Sequence, residues 1–222
     1  MLNLALALIA FVGTHFLMSH PLRAAMVTRL GANGFQIAYS LISLATLGWA
    51  AYAFREAPLG MPLWIAGDGL NGLATAIMFI ASVLLAGSFI GNPALPQPGA
   101  DKLAMQTPAG VFAITRHPMM WSFALWSLAH ALVSPRPPVI LLTAFIALLA
   151  LGGAAGQDHK KANLMGDSWQ SWVSRTAFVP LAKGAAWPGR IALVGGTILW
   201  LAATWLHPLA GAPTAGIWMW LG

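Results

Sequence analysis

The sequence predicts an all-α integral membrane bundle, and three observations predict it. Only 7% of the 222 residues are charged and 59% are hydrophobic, where ordinary soluble domains carry about 25% charged residues. Apolar runs of near-spanning length recur along the whole chain. The basic residues between them are concentrated in alternate loops. The absence of cysteine excludes disulfides, thiolate metal sites and cysteine nucleophiles. The net charge of +6 is spread between apolar runs rather than gathered in a patch, so it reads as membrane topology and not as a nucleic-acid surface.

Six spans are expected, at Leu2–His20, Gly34–Phe54, Leu70–Ile90, His117–Val133, Val139–Ala155 and Ile191–Leu206, forming one domain over 1–222 without an internal repeat. Residues 1–12 carry no Lys or Arg, unlike the start of a cleaved signal peptide, so the first span is expected to be retained. Loops one, three and five hold nine of the eleven Lys and Arg residues, and loops two and four hold only Arg55 and Arg136. That bias puts the odd loops in the cytoplasm and both termini in the periplasm of a bacterial inner membrane.

Three segments are more than connectors. Gly91–Gly110 contains Pro93, Pro96, Pro98 and Pro108, which favour extended and turn conformations, and is expected to fold under the bundle as a lid. Gln157–Val179 places Leu164, Trp169, Trp172, Val173 and Phe178 among polar and basic residues, the pattern of a cytoplasmic interfacial helix. The tail Leu209–Gly222 is too short to span, and Trp218 and Trp220 are expected to join Trp49, Trp64, Trp200 and Trp205 in an aromatic belt. Small residues at Gly152–Gly156 and Gly195-Gly196 permit close helix packing, within the monomer or in a dimer.

Ionisable groups inside spans are expensive and tend to face a bundle interior or a cofactor. His130 is one, sharing a helix face with Phe123, Trp126 and Ser127. His15 is another, eight residues from Arg23, or roughly 12 Å at about 1.5 Å per residue. His20 belongs to the interface, before Pro21 and Arg23. His117 lies thirteen residues before His130, about 140° around the helix and roughly 20 Å along it, and belongs with Arg116 and Pro118 at the rim. Since His15 is only about 12 Å from Arg23, His117 stands as the alternative to His130 as the partner of His15. Two neutral imidazoles in an apolar bundle are what a six-coordinate b-type haem requires, although transporters and proton paths also use such histidines. Covalent haem attachment is excluded because no Cys-x-x-Cys-His exists. Structural zinc is disfavoured, since no third ligand lies at comparable depth.

The His in the first span, Ile114-Thr115-Arg116-His117-Pro118, Trp126-Ser127-Leu128-Ala129-His130, Gly166-Asp167 and Arg175-Thr176-Ala177-Phe178-Val179-Pro180 together resemble the NnrU family, which includes the plant 15-cis-zeta-carotene isomerase. The resemblance covers most of the chain. It implies haem b with His15 and His130 as axial ligands, and redox-gated isomerisation of a hydrophobic polyene fed by an electron donor. It equally implies an accessory role in nitrite and nitric oxide metabolism (denitrification), the source of the family's name. Arg116, His117 and Trp126 would line the cofactor. In the isomerase a Cys three residues before the second His is an alternative ligand; Ser127 stands there in this chain.

A second resemblance, carried by Arg116-His117-Pro118-Met119 and Phe178-Val179-Pro180, is to S-adenosylmethionine-dependent membrane methyltransferases of the isoprenylcysteine carboxyl type. The acidic pair of that family is missing, and Asp158-His159-Lys160-Lys161 stands near its place. Asp158, His159 and Arg116 could equally bind haem propionates or cap helices. The expected partners are the lipid bilayer and a hydrophobic small molecule, with no nucleic acid.

Overall fold

A computed structural model describes residues 1–221. Among the described residues nine helices follow one another: α1 (Leu2–Ser19), α2 (Arg23–Glu56), α3 (Asp68–Gly87), α4 (Ala100–Met105), α5 (Val111–Ile114), α6 (Pro118–Val133), α7 (Pro137–Met165), α8 (Asp167–Arg175) and α9 (Arg190–Leu206). Two 3-10 turns, His207–Ala210 and Gly216–Trp220, close the described chain, and no strand occurs among the described residues. Of these helices α1, α2, α3 and α7, with α9 and the turn after it, are long and apolar enough to cross a membrane. The sixth apolar helix, α6, has 16 residues, about 24 Å at 1.5 Å per residue against a hydrocarbon core of about 30 Å.

Local chemistry sets these boundaries. Pro118 and Pro137 sit in the first turns of α6 and α7, where a missing N–H costs nothing and the fixed φ suits a helix. Gly31, at φ +71, interrupts α2, so the span expected at Gly34–Phe54 is the longer part of a broken helix. The span expected at Val139–Ala155 is the first part of a 29-residue helix. At about 43 Å, α7 outruns the membrane core, and its last turns project beyond it.

Helix α3 packs against both α6 and α9, while α1 packs against α2 and α7, and the α6–α7 hairpin joins the two groups. Close packing is set by small residues. A Cβ on Gly196 would run into the Val83 backbone, and one on Gly87 would meet Val111 and Ala192. Phe79 packs edge-on against Trp200 at 5.5 Å. The α3–α9 pairs 87/192, 83/196 and 79/200 therefore fall into one antiparallel register. Gly152 lies under Phe16 and Gly156 under His20. These glycine faces are thus used inside the chain.

The segment Gln157–Val179 is not one interfacial helix. It begins as the end of α7, breaks at Gly166 (φ +52) and resumes as α8. Trp169 and Trp172 are buried in the core with Val111, Phe112 and Ala192, since protein and not headgroups covers the apolar face of α8. The lid segment does fold under the bundle: Asn92, Pro93 and Ala94 are buried, Lys161 donates to the Pro93 carbonyl and Gln157 to that of Ala94. Arg175 ties α8 to α4 through the Ala104 and Gln106 carbonyls.

The aromatic belt is only partly an exposed one. Trp49, Trp64, Trp205 and Trp220 are exposed. Trp200 is half-buried and its indole nitrogen is fully enclosed, and Trp218 docks back onto Thr204 Oγ1 at 3.1 Å. Gly222, the end of the expected tail, lies outside the described residues.

Candidate functional site

The two motifs Ile114–Pro118 and Arg175–Pro180 meet where the end of α7 leaves the membrane. Arg116 donates from Nε and Nη2 to both oxygens of Asp158, at 2.6 Å in the shortest contact, and from Nη1 to the Thr176 carbonyl. His117 Nε2 lies 2.9 Å from the other Asp158 oxygen. The Arg116 amide donates to Ala177, and Thr115 Oγ1 and Trp121 Nε1 both donate to the Phe178 carbonyl. The Phe178 ring then lies edge-on to His117 and under the Arg116 guanidinium. Burial opposes ionisation of Asp158, but the hydrogen bonds from His117 and Arg116 outweigh it and hold the carboxyl below its ordinary range. Arg116, His117 and Asp158 are thus engaged with one another. The cluster is built as a clamp, with the His117 Nδ1 atom buried and without a partner.

At the opposite end of the bundle, a cleft of about 670 Å³ opens between α3, α6, α9 and the folded tail. Its walls include Trp126, His130, Met78, Trp200 and His207. It forms because α6 stops at Val133, short of the membrane depth, and the 57–67 loop bridges the gap. Trp64 donates to the Leu132 carbonyl, Leu63 to Pro135, and Arg136 to Gly60. Trp126 stacks on His130 at 4.1 Å between centroids. Trp200, with its unpartnered indole N–H, also lines the cleft.

Three histidines share one arrangement. Nδ1 of His15, His130 and His207 lies 2.7, 2.8 and 2.8 Å from the carbonyls of Phe11, Trp126 and Ala203, each four residues back on its own helix. A carbonyl only accepts, so Nδ1 carries a proton, and in the neutral ring Nε2 keeps a free lone pair. Metal-binding histidines commonly show this arrangement.

His15 and His130 are not brought together. The His15 ring contacts Phe11 at 4.4 Å and Tyr39 of α2 at 5.4 Å. Helix α7 serves as a ruler: Phe16 and His20 face Gly152 and Gly156, which puts His15 level with residue 151. His117 faces Asp158, and the antiparallel α6 then puts His130 level with residue 145. Six residues separate the two levels, roughly 9 Å. The ring facing His130 is His207, 6.3 Å away between centroids with planes 20° apart. Among the described residues no three His, Asp or Glu side chains gather as a metal-ion site. Ser127 is buried and bonds the Phe123 carbonyl in its own helix.

His207 is absent from the sequence-derived site. Followed at once by Pro208, it reads as the end of the last span. The available signal was depth: His130 and His207 both follow an inner rim by a similar number of residues, Arg116 in one case and Arg190 in the other.

These features define a multi-pass helical membrane protein with a histidine-bearing apolar cleft. The NnrU protein family matches residues 3–214, and the chain belongs to that family. The chain is also 29% identical over 160 residues to the chloroplastic 15-cis-zeta-carotene isomerase of Arabidopsis thaliana, a match that covers 69% of this chain and 42% of that protein. The match thus spans less than half of that relative. No solved structure matches the chain. Nothing in these matches supports methyl transfer, and Arg116, His117 and Asp158 are already occupied by one another.

Proposed function

We propose that this protein is a membrane haem b protein with isomerase-like activity, in which the cleft beside His130 holds the haem and its open mouth admits a hydrophobic polyene carrying a central cis double bond. The observation that carries the reading is a largely apolar cleft of about 670 Å³ with a histidine of free Nε2 in its wall. The donor set fits haem: imidazoles with pinned tautomers, stacked aromatic rings and no competing thiolate. Bound haem b would supply a redox-active iron able to engage an electron-rich double bond. This chain's own residues would do the rest. Trp126 fixes the plane of the His130 ring, the Trp126 carbonyl holds the Nδ1 proton, and Trp200 and Met78 exclude water from the polyene. Ile65, 89% exposed at the mouth, leaves the cleft accessible to a hydrophobic molecule. That access favours the enzymatic reading over an accessory haem carrier of nitric oxide metabolism.

The test is to incubate haem-loaded protein, under reducing conditions, with a 15-cis polyene and to resolve the isomers by chromatography. Conversion to the trans isomer by the parent, lost in His130→Ala, supports the proposal. No conversion by a haem-loaded parent overturns the isomerase reading.

A further inference from the structure

The haem reading leaves the second axial nitrogen open, and we infer that His207, at the end of α9, supplies it opposite His130. The inference rests on the haem reading and adds a residue that neither the sequence motifs nor the family match assigns. Three observations carry it. Two imidazoles bound to one metal at about 2.0–2.1 Å per bond have ring centroids about 6 Å apart. The His130 and His207 centroids lie 6.3 Å apart, with ring planes only 20° from parallel. Both side chains line the same cleft, on different helices, and each has its Nδ1 proton committed to a carbonyl one turn back. Helix placement agrees: extending the α3–α9 register (87/192, 83/196, 79/200) sets His207 level with residue 72, beside Asn71 of the cleft wall. His15 has the same tautomer, but it lies roughly 9 Å off the His130 level, against Tyr39, and does not line the cleft.

The folded tail explains why His207 stays in place. Gly216 fits against Thr204 at a position where a Cβ would meet that side chain, and Trp218 bonds Thr204 Oγ1. The turn His207–Ala210 is thereby bracketed by two fixed points. A histidine at a span end is ordinarily free to swing into water; this one is half-buried, its Nδ1 is bonded to the Ala203 carbonyl, and its own carbonyl accepts from the Ala212 amide.

The experiment uses the full chain purified in detergent and loaded with haemin, read by ferric electron paramagnetic resonance and visible spectra. A low-spin, six-coordinate signal is expected in the parent and in His15→Ala. His207→Ala should lose it for a high-spin signal, and added imidazole should restore the low-spin form. Restoration separates a lost ligand from a lost fold. A His207→Ala protein that stays low-spin, or a His15→Ala protein that turns high-spin and is restored by imidazole, overturns the assignment of His207 alone. A parent that takes up no haem overturns the haem reading itself and this inference with it.

Discussion

Replacing Asp158 with alanine strips one carboxylate from two partners at once. The Arg116 side chain is 11% exposed and that of His117 0%, so neither can turn to water without unpacking Phe178. Removing one member of a fully buried ion pair costs about 3–5 kcal/mol. Asp158 itself is 21% exposed, which places the expected loss near the lower end, about 3 kcal/mol. With an unfolding entropy of about 2.1 cal/mol/K per residue, a chain of 222 residues converts that into a fall in Tm of about 6 °C. The assay is thermal unfolding in one fixed detergent, followed at several pH values. Because the folded carboxyl titrates below its ordinary range, its contribution is present above the unfolded pKa of about 3.9 and is lost as pH falls through the folded value. The parent should therefore approach the variant only in strong acid. Asp158→Asn, which keeps acceptor capacity without charge, should fall between the two. A Tm change of less than about 1 °C at neutral pH would refute the clamp, as would a gap between parent and variant that does not close in acid.

Further outcomes follow from the packing. Gly196→Val should cost about 1–3 kcal/mol by overpacking against the Val83 backbone, while Gly195→Ala, whose Cβ would rest 3.5 Å from Ala86, should be neutral; equal melting temperatures would contradict the α3–α9 register. Thr204→Val removes the nearer of the two acceptors of the Trp218 indole, leaving the Leu201 carbonyl at 3.4 Å, at a cost of about 1 kcal/mol, and limited proteolysis of the tail should accelerate if that bond holds it down. Burial, together with Lys160 and His159, lowers the pKa of His20, so its contribution is present above the unfolded value of about 6.5 and fades as pH falls through the folded one. His20→Phe should flatten that part of the stability–pH profile, and an unchanged slope would assign it to other groups.

Much of the fold was legible because it depends on composition and period. Apolar runs located the long helices, and the Arg116-His117-Pro118 step falls at the start of α6. What could not be read was set by tertiary contact. Nothing local tells Trp172, with core on its face, from a tryptophan resting on headgroups. The glycines of α7 and α9 announced close packing, but only the bundle shows that Phe16, His20 and Val83 fill the space. The site divides in the same way. His130 and Trp126 were visible as an ionisable ring and an aromatic on one helical face. Arg116 and His117 were visible as a motif, but their partner Asp158 lies 42 and 41 residues away in sequence. The pairing of His130 with His207 depends on where α6 stops and how α9 is registered on α3, and neither is a property of local sequence.

The proposal that the cleft beside His130 holds haem b is tested most directly by a reduced-minus-oxidised visible spectrum of the purified full chain after haem loading, repeated on His130→Ala. A b-type difference spectrum in the parent that is lost or markedly shifted in the variant is the expected result. A parent without such a spectrum, or a variant indistinguishable from it, would contradict the proposal.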